Sequence, residues 1–273
     1  ISADGNITQS MDSEIFTQRN ITLVSGKDKD VSLNHQLGNV FNNASINVGG
    51  ARDVLLASND ANGVNLGTIS IDRNLNVQAS GPIQQSSILT IGGETHLTSA
   101  DAVTLINANN RFGGAVSLAV EGDVKLGSDA SIDLGDVIVK GYTTLSSGLG
   151  NLTDSGKLEF YKDALFIASK GDIVFDSAEN VLGKVGGQAQ NVTLKDNGDL
   201  LGLYPFQING TLSVDANTID FLPRTAATHP NAGMYAASNV LGGLNLTSRV
   251  GMVEFPNPSN PTEPFVVTGD TII

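Results

Sequence analysis

Three histidines, His35, His96 and His229, are the side chains of this chain best suited to carry a proton near neutral pH. There is no cysteine, so a nucleophile for them to activate would have to be a Ser or Thr hydroxyl, and none of the three lies near a Gly-x-Ser-x-Gly elbow. The chain has no His-Glu-x-x-His pair for zinc and no Gly-x-x-x-x-Gly-Lys loop for phosphate. Each His is therefore read as a turn or surface residue. Two acid pairs, Glu159 with Glu179 and Asp101 with Glu121, have an offset of interest. Glycan-cleaving carboxylates stand about 5 to 9 Å apart, and acids about one coil apart on a solenoid would be separated by roughly 4.8 Å. With 28 acids in the chain such offsets arise by chance, which leaves a polysaccharide-active enzyme as the alternative reading. Dense oxygen ligands of the kind Ca²⁺ takes occur at Asp196-Asn197-Gly198-Asp199 and at Asp129, Asp133 and Asp136, but neither fits a known calcium-loop spacing. No residue is assigned a catalytic, cofactor-binding or metal-binding role.

The elements that would have to position these groups are very short strands. Val103-Thr104-Leu105 recurs in close variants, among them Val31-Ser32-Leu33, Leu75-Asn76-Val77, Val116-Ser117-Leu118, Val192-Thr193-Leu194 and Leu244-Asn245-Leu246. Two apolar residues flank a polar one, so in an extended chain the pair points to one side and the polar residue to the other. Similar motifs return after about 21 residues, as from Val54 to Leu75 and from Val103 to Val124. The two-residue Asn-Gly and Asp-Gly turns of antiparallel hairpins are scarce. The spacing instead predicts an all-β parallel β-helix, a solenoid in which successive coils pair in parallel and stack their apolar residues inside.

Composition agrees. Aromatics make up 5% and Trp is absent, so the interior is expected to be aliphatic. The 31 Gly and 26 Asn are expected to supply left-handed and tight-turn conformations. A net charge of −13 with 15 Lys and Arg argues against nucleic acid as a partner. Absence of cysteine excludes a disulfide scaffold and suits a secreted bacterial protein that crosses an outer membrane unfolded. No apolar run approaches a membrane span, and Ile1 begins mid-pattern, as if the chain were processed or cut from something longer. Seven Asn-x-Ser/Thr sequons, at Asn6, Asn20, Asn43, Asn151, Asn191, Asn209 and Asn245, are what turn Asn followed by an apolar-Thr strand generates automatically.

A longer motif overlies the triplets. Its clearest form is Asn110-Arg111-Phe112-Gly113-Gly114-Ala115-Val116-Ser117-Leu118, echoed by Asn239-Val240-Leu241-Gly242-Gly243-Leu244-Asn245-Leu246, with relatives at Asn39 with Phe41 and at Asn180 with Leu182. We read Asn as closing a turn through its side chain, the large apolar residue as plugging the coil, and the glycines as bending the chain into the next strand.

With these residues, from about 6 to 221 and again from 239 to 248, the chain resembles the repeats of filamentous haemagglutinin-type exoproteins of bacterial two-partner secretion systems. The resemblance implies a right-handed β-helix, the hand also favoured by parallel crossovers. It further implies a secreted, cell-surface shaft that projects an interaction surface for cell adhesion. Its implied partners are an outer-membrane transporter during secretion and a host or neighbouring-cell receptor. The family's N-terminal secretion domain with its Asn-Pro-Asn-type motifs is not in this sequence. A structural filament or surface-layer subunit, marked by coil ends that stack between copies, is the other rival.

Residues 1–222 are expected to form the regular repeats. Residues 223–273, with Pro223, Pro230, Pro256, Pro258, Pro261 and Pro264, are expected to continue or cap the solenoid with irregular loops, because Pro cannot donate to a strand ladder. Strand is expected to return at 250–255 and 265–267, and binding is expected on exposed turns or on the proline-rich loops.

Overall fold

The computed structural model describes residues 1–10, 12–35, 38–222, 238–255, 265–267 and 269–272. The expected proline-rich loops at 223–237 and 256–264, and with them His229, lie outside the described residues. All described regular structure is strand, and every strand pairing within either unit is parallel. The chain divides into two compact units, Ile1–Ala130 and Ser131–Ile273.

In the first unit one sheet runs through Ile7–Thr8, Val31–Leu33, Val54–Ser58, Leu75–Ala79, Thr95–Ser99 and Val116–Val120. The other contains Ile21–Val24, Ser45–Gly49 and the eight-residue strand Val64–Ile71. That long strand pairs with two short ones, Ile83–Gln85 and Leu89–Ile91. The second unit repeats the plan. Ile132–Val139 pairs with both Leu152–Asp154 and Leu158–Phe160, and Leu201–Ile208 with both Ile219–Phe221 and Ser238–Val240. The register is the one expected from the triplets, with Val54 opposite Leu75 and Val103 opposite Val124.

The triplet residues divide inside from outside as their alternation dictates. Both apolar members are buried in Val31-Ser32-Leu33, Leu75-Asn76-Val77, Val103-Thr104-Leu105 and Val192-Thr193-Leu194, and the middle residue faces outward. Each such Val or Leu contributes about 1.5–3 kcal/mol by leaving water. The interior is aliphatic only in the first unit, apart from Phe41 and Phe112. In the second it is aromatic as well: Phe160, Phe166 and Phe175 meet at centroid distances of 5.6 and 5.0 Å, and Tyr204 and Phe206 are buried beside aliphatic ladders.

Asparagine and glycine do work other than the expected turn-making. Among described non-glycine residues only Asp28, Asn42 and Asn43 have positive φ. Many Asn side chains instead reach a neighbouring coil. Asn151 Oδ1 accepts the Asp172 N–H, Asp172 Oδ1 accepts that of Asn191, and Asn191 Oδ1 accepts that of Thr211, each at 2.9 Å. Asp53 and Asn74 do the same for Asn74 and Glu94 in the first unit. Most glycines are set by close stacking rather than by φ. A Cβ on Gly113 would lie 2.5 Å from the Gly92 carbonyl oxygen, and one on Gly114 would lie 2.8 Å from the Gly93 carbonyl carbon.

Asn110 closes no local turn by itself; it brackets coils. Fully buried, it exchanges two hydrogen bonds with the Gln85 carboxamide, accepts the Leu89 N–H and donates to Gly127 O. Asn39 makes the same double contact with Gln9. At Asn180 the partner is Asp154, whose Oδ2 accepts from Nδ2 at 2.6 Å, while Asn180 Oδ1 accepts the Leu158 N–H. Asn239 is not a fourth member: it lies on a strand opposite Gln207, and Leu241, expected to plug the coil, is 49% exposed. Phe41, Phe112 and Leu182 are buried as expected.

The brackets at 39, 110 and 180 and the long strands that begin at 64, 132 and 201 disclose a second period of about 70 residues. Val54–Ser58 and Val124–Ser128 are equivalent, and in both the closing serine, Ser58 or Ser128, donates to the backbone carbonyl of the bracket Asn. Yet Val54–Ser58 lies in one sheet of its unit and Val124–Ser128 in the other. Ile132–Val139 and Leu201–Ile208 likewise occupy opposite sheets of theirs. Each copy thus advances the coil by an odd number of half-turns. Strand resumes at Val253–Glu254 rather than at Val250, and again at Phe265–Val267 and Thr271–Ile272.

Candidate interaction surface

The densest exposed chemistry sits in the second unit, where two turns stack. Lys140-Gly141-Tyr142 follows the strand Ile132–Val139, and Tyr161-Lys162-Asp163 follows its partner Leu158–Phe160. The register crosses the cations and rings: the Lys140 ammonium is 6.0 Å from the Tyr161 ring centroid and the Lys162 ammonium 4.9 Å from that of Tyr142. Such placements draw the ammonium to the negative ring face. Tyr161 is 59% exposed, and Ile138 is exposed beside it. Under the turn, buried Asp163 accepts a 3.0 Å hydrogen bond from the Tyr204 hydroxyl. Burial first, then the Asp163 charge, holds the Tyr204 hydroxyl well above the usual phenol range.

The two acids of one nominated pair, Glu159 and Glu179, both act on Lys157 here. Lys157 Nζ donates to Glu159 Oε2 at 2.8 Å, and Glu179 also acts on this ammonium. The Lys157 hydrogen bond, with one from Tyr161, holds the Glu159 carboxyl below the usual range, the opposite of the shift a general acid needs. Across the coil Glu159 bridges to Val181, not to Glu179. The other pair lies on stacked turns: the Gly122 N–H bonds Asp101 O, the parallel pattern that sets Glu121 opposite Asp101, and both acids are exposed.

The remaining sequence candidates are scattered. The exposed His96 pairs with Glu94 at 3.1 Å, and His35 Nδ1 is 2.9 Å from Ser13 O. Asp133 accepts from the Thr153 and Ser155 hydroxyls and Asp136 from the Lys157 N–H, so both hold the next coil. Asp196 is buried, Asp199 exposed, and among the described residues no three His, Cys, Asp or Glu side chains gather as a metal site would require. Of the sequon asparagines, Asn6, Asn20, Asn151 and Asn191 use their carboxamide oxygen on an amide of the following coil.

A groove in the first unit is lined by Asp30, Ser32, Asp53, Asn74 and Asn76 among others. Arg52 reaches both acids, donating to the two Asp30 oxygens at 3.0 and 2.7 Å and to Asp53 at 3.2 Å. The Asp30 contact raises the Arg52 guanidinium above its ordinary value. With Arg73 3.7 Å from Asp53, both acids of the groove are paired within the chain.

The Lys and Tyr turn was not singled out in the sequence, although a signal is present: Lys140 and Tyr161 stand 21 residues apart, one coil, and Tyr occurs only four times in the chain. No helix among the described residues is long and apolar enough to cross a membrane.

A protein-family model described as repeats of unknown function (DUF5649) matches residues 51–119 and 121–186. These two matches are consecutive and each close to the 70-residue period seen in the fold. No curated protein and no solved structure matches the chain.

Proposed function

We propose that this chain is part of the shaft of a large secreted bacterial surface exoprotein, similar to filamentous haemagglutinin-type proteins, which projects an interaction surface for cell adhesion. One observation carries the reading: the copies keep the long strand, the bracket Asn and the buried ladders while their exposed side chains change. A groove neutralised by Arg52 in one unit gives way to exposed Lys and Tyr in the other. A scaffold that repeats inside and varies outside is suited to length and display rather than to iterating one ligand site. Transport through an outer-membrane partner and a cell-surface location belong to the same proposal. So does a protein or glycan receptor on a host or neighbouring cell, contacted at the Lys140 to Lys162 turns or at the proline-rich segments.

Beads coated with the full chain, offered to host epithelial cells and to neighbouring bacteria, test it. Attachment above that of albumin-coated beads, lowered by Tyr161→Ala with Lys162→Ala or by deletion of 256–264, is the expected result. Attachment no better than albumin overturns the adhesive reading, and release of oligosaccharides from an acidic polysaccharide would replace it with the enzymatic one.

A further inference from the structure

Asn-Gly is the dipeptide most open to loss of its amide, because glycine has no Cβ to keep its backbone nitrogen from the preceding Asn Cγ. It occurs at Asn62-Gly63, Asn197-Gly198 and Asn209-Gly210. The first and last have both reacting groups engaged. The Gly63 N–H bonds Asp60 O at 2.9 Å and Asn62 Nδ2 reaches Asn42 Oδ1 at 3.4 Å. The Gly210 N–H bonds Gln190 O at 2.7 Å and Asn209 Nδ2 reaches Gln190 Oε1 at 3.3 Å.

The middle one is different. Asn197 is exposed, its carboxamide has no hydrogen-bond partner among the described residues, and the Gly198 N–H makes no backbone hydrogen bond. That N–H is hydrogen-bonded instead to the Asp196 carboxylate, whose oxygens flank the glycine. A base is thus built next to the nitrogen that must lose its proton. Asn217 Nδ2 holds the loop only by its carbonyls, at 3.5 Å from Asn197 O and 3.0 Å from Gly198 O.

We propose that Asn197 is a site of spontaneous deamidation, which converts this turn to aspartyl and isoaspartyl forms while the other two Asn-Gly pairs stay intact. In the first step the Gly198 nitrogen attacks Asn197 Cγ. The new C–N bond closes a five-membered succinimide, the Cγ–Nδ2 bond breaks, and the proton shed by Gly198, accepted by Asp196, leaves with ammonia. Water then opens the ring at either carbonyl. No electrons are exchanged. The isoaspartyl product reroutes the backbone at the residue whose N–H donates to Asn180 O at 2.7 Å, and either product adds a negative charge beside Asp196 and Asp199. The bracket of the second unit therefore weakens as the protein ages.

Peptide mapping by mass spectrometry after prolonged incubation of the folded chain at mildly alkaline pH tests this. Asn197 should convert roughly tenfold faster than Asn62 or Asn209, the factor expected for sparing the Asn carboxamide one hydrogen bond. In denaturant all three should convert, which establishes that the conditions suffice. Asp196→Asn should slow conversion at Asn197 while keeping the Leu182 contact, and Asn197→Gln should abolish it with the fold intact by circular dichroism. Equal conversion at the three sites in the folded chain, or an Asn197 that persists while the denatured control reacts, would overturn the proposal.

Discussion

The two units follow one plan with different materials. In the first, the brackets are neutral, amide against amide: Gln9 with Asn39 and Gln85 with Asn110, over an aliphatic interior with serines closing the equivalent strands. In the second, the bracket Asn180 faces the carboxylate of Asp154, the interior holds packed rings and a buried Tyr204 to Asp163 hydrogen bond, and Asp196 stands at the position of Ser58 and Ser128. A serine there donates to the bracket Asn carbonyl; an ionised aspartate cannot, and Asp196 Oδ2 is left buried without a partner. The second unit thus meets the bracket's demand for an acceptor with charge at Asp154 and leaves the serine's donation unmade at Asp196.

The largest break should come at a bracket. Asn110→Leu strands the Leu89 N–H and the Gly127 carbonyl and takes one partner from each end of the Gln85 amide, which keeps Ser87 O and the Asn107 N–H, and should cost about 3–5 kcal/mol, since each buried group left unpaired costs roughly 1–3 kcal/mol. Hydrogen exchange should show protection lost in residues 83–128 first; uniform loss across both units would mean that they melt as one. Phe112→Asp buries an unpaired charge and should destabilise by several kcal/mol, whereas Leu241→Asp, at an exposed residue, should fall within about 0.5 kcal/mol. Similar melting temperatures for the two variants would show that Leu241 does occupy the interior. Tyr204→Phe removes the donor to Asp163 and should cost about 1–3 kcal/mol, registered as lost exchange protection in the second unit alone.

The position of Asp196 sharpens the contrast through pH. Burial raises its carboxyl above the ordinary value, with the Leu182 and Gly198 amides and Arg249 offsetting part of that rise. A carboxyl raised in the folded state binds more protons folded than unfolded, so its penalty is complete above the folded pKa. The penalty is relieved as pH falls toward the unfolded value near 3.9. Asp196→Asn, able to accept from Leu182 and to donate as the serines do, should stabilise by about 1–2 kcal/mol at neutral pH. That gain should shrink in urea melts taken toward pH ~4; a gain independent of pH would show that Asp196 is already neutral. The smallest effect belongs to the surface. Lys157 lowers the Glu159 carboxyl, which gives stability above the unfolded pKa that is lost as pH falls through the folded one. Glu159 is in contact with solvent, so Glu159→Gln should cost at most about 0.5 kcal/mol at neutral pH in the same melts.

The strands and their register were legible because alternation and the coil length of about 21 residues are written in residue type: Val54 and Leu75 had to stack once Val103 and Val124 did. The 70-residue period was not, since its marks are partners that differ in kind, Gln85 in one copy and Asp154 in the next. Its Asn39, Asn110 and Asn180 were visible, but the Gly-Gly dipeptide drew Asn239 into their company. That pair recurs at several close approaches of two coils, before Thr95, before Val116 and before Leu244 alike, so it marks contact rather than a place in the copy. Asparagine was misread for a related reason. A turn residue and a residue that holds the next coil's amide have the same local sequence, and only the pairing of coils separates them. The candidate surface was the least legible part, because Tyr161 and Lys140 are neighbours only across a coil.

The odd half-turn of each copy couples length to direction. A gene that duplicates one copy places everything after it on the opposite sheet, and a duplication of two restores the original aspect. Growth by pairs would return an exposed turn to the same sheet, while growth by one would move it to the other. Parity, rather than size, is then the quantity that recombination among such repeats must respect.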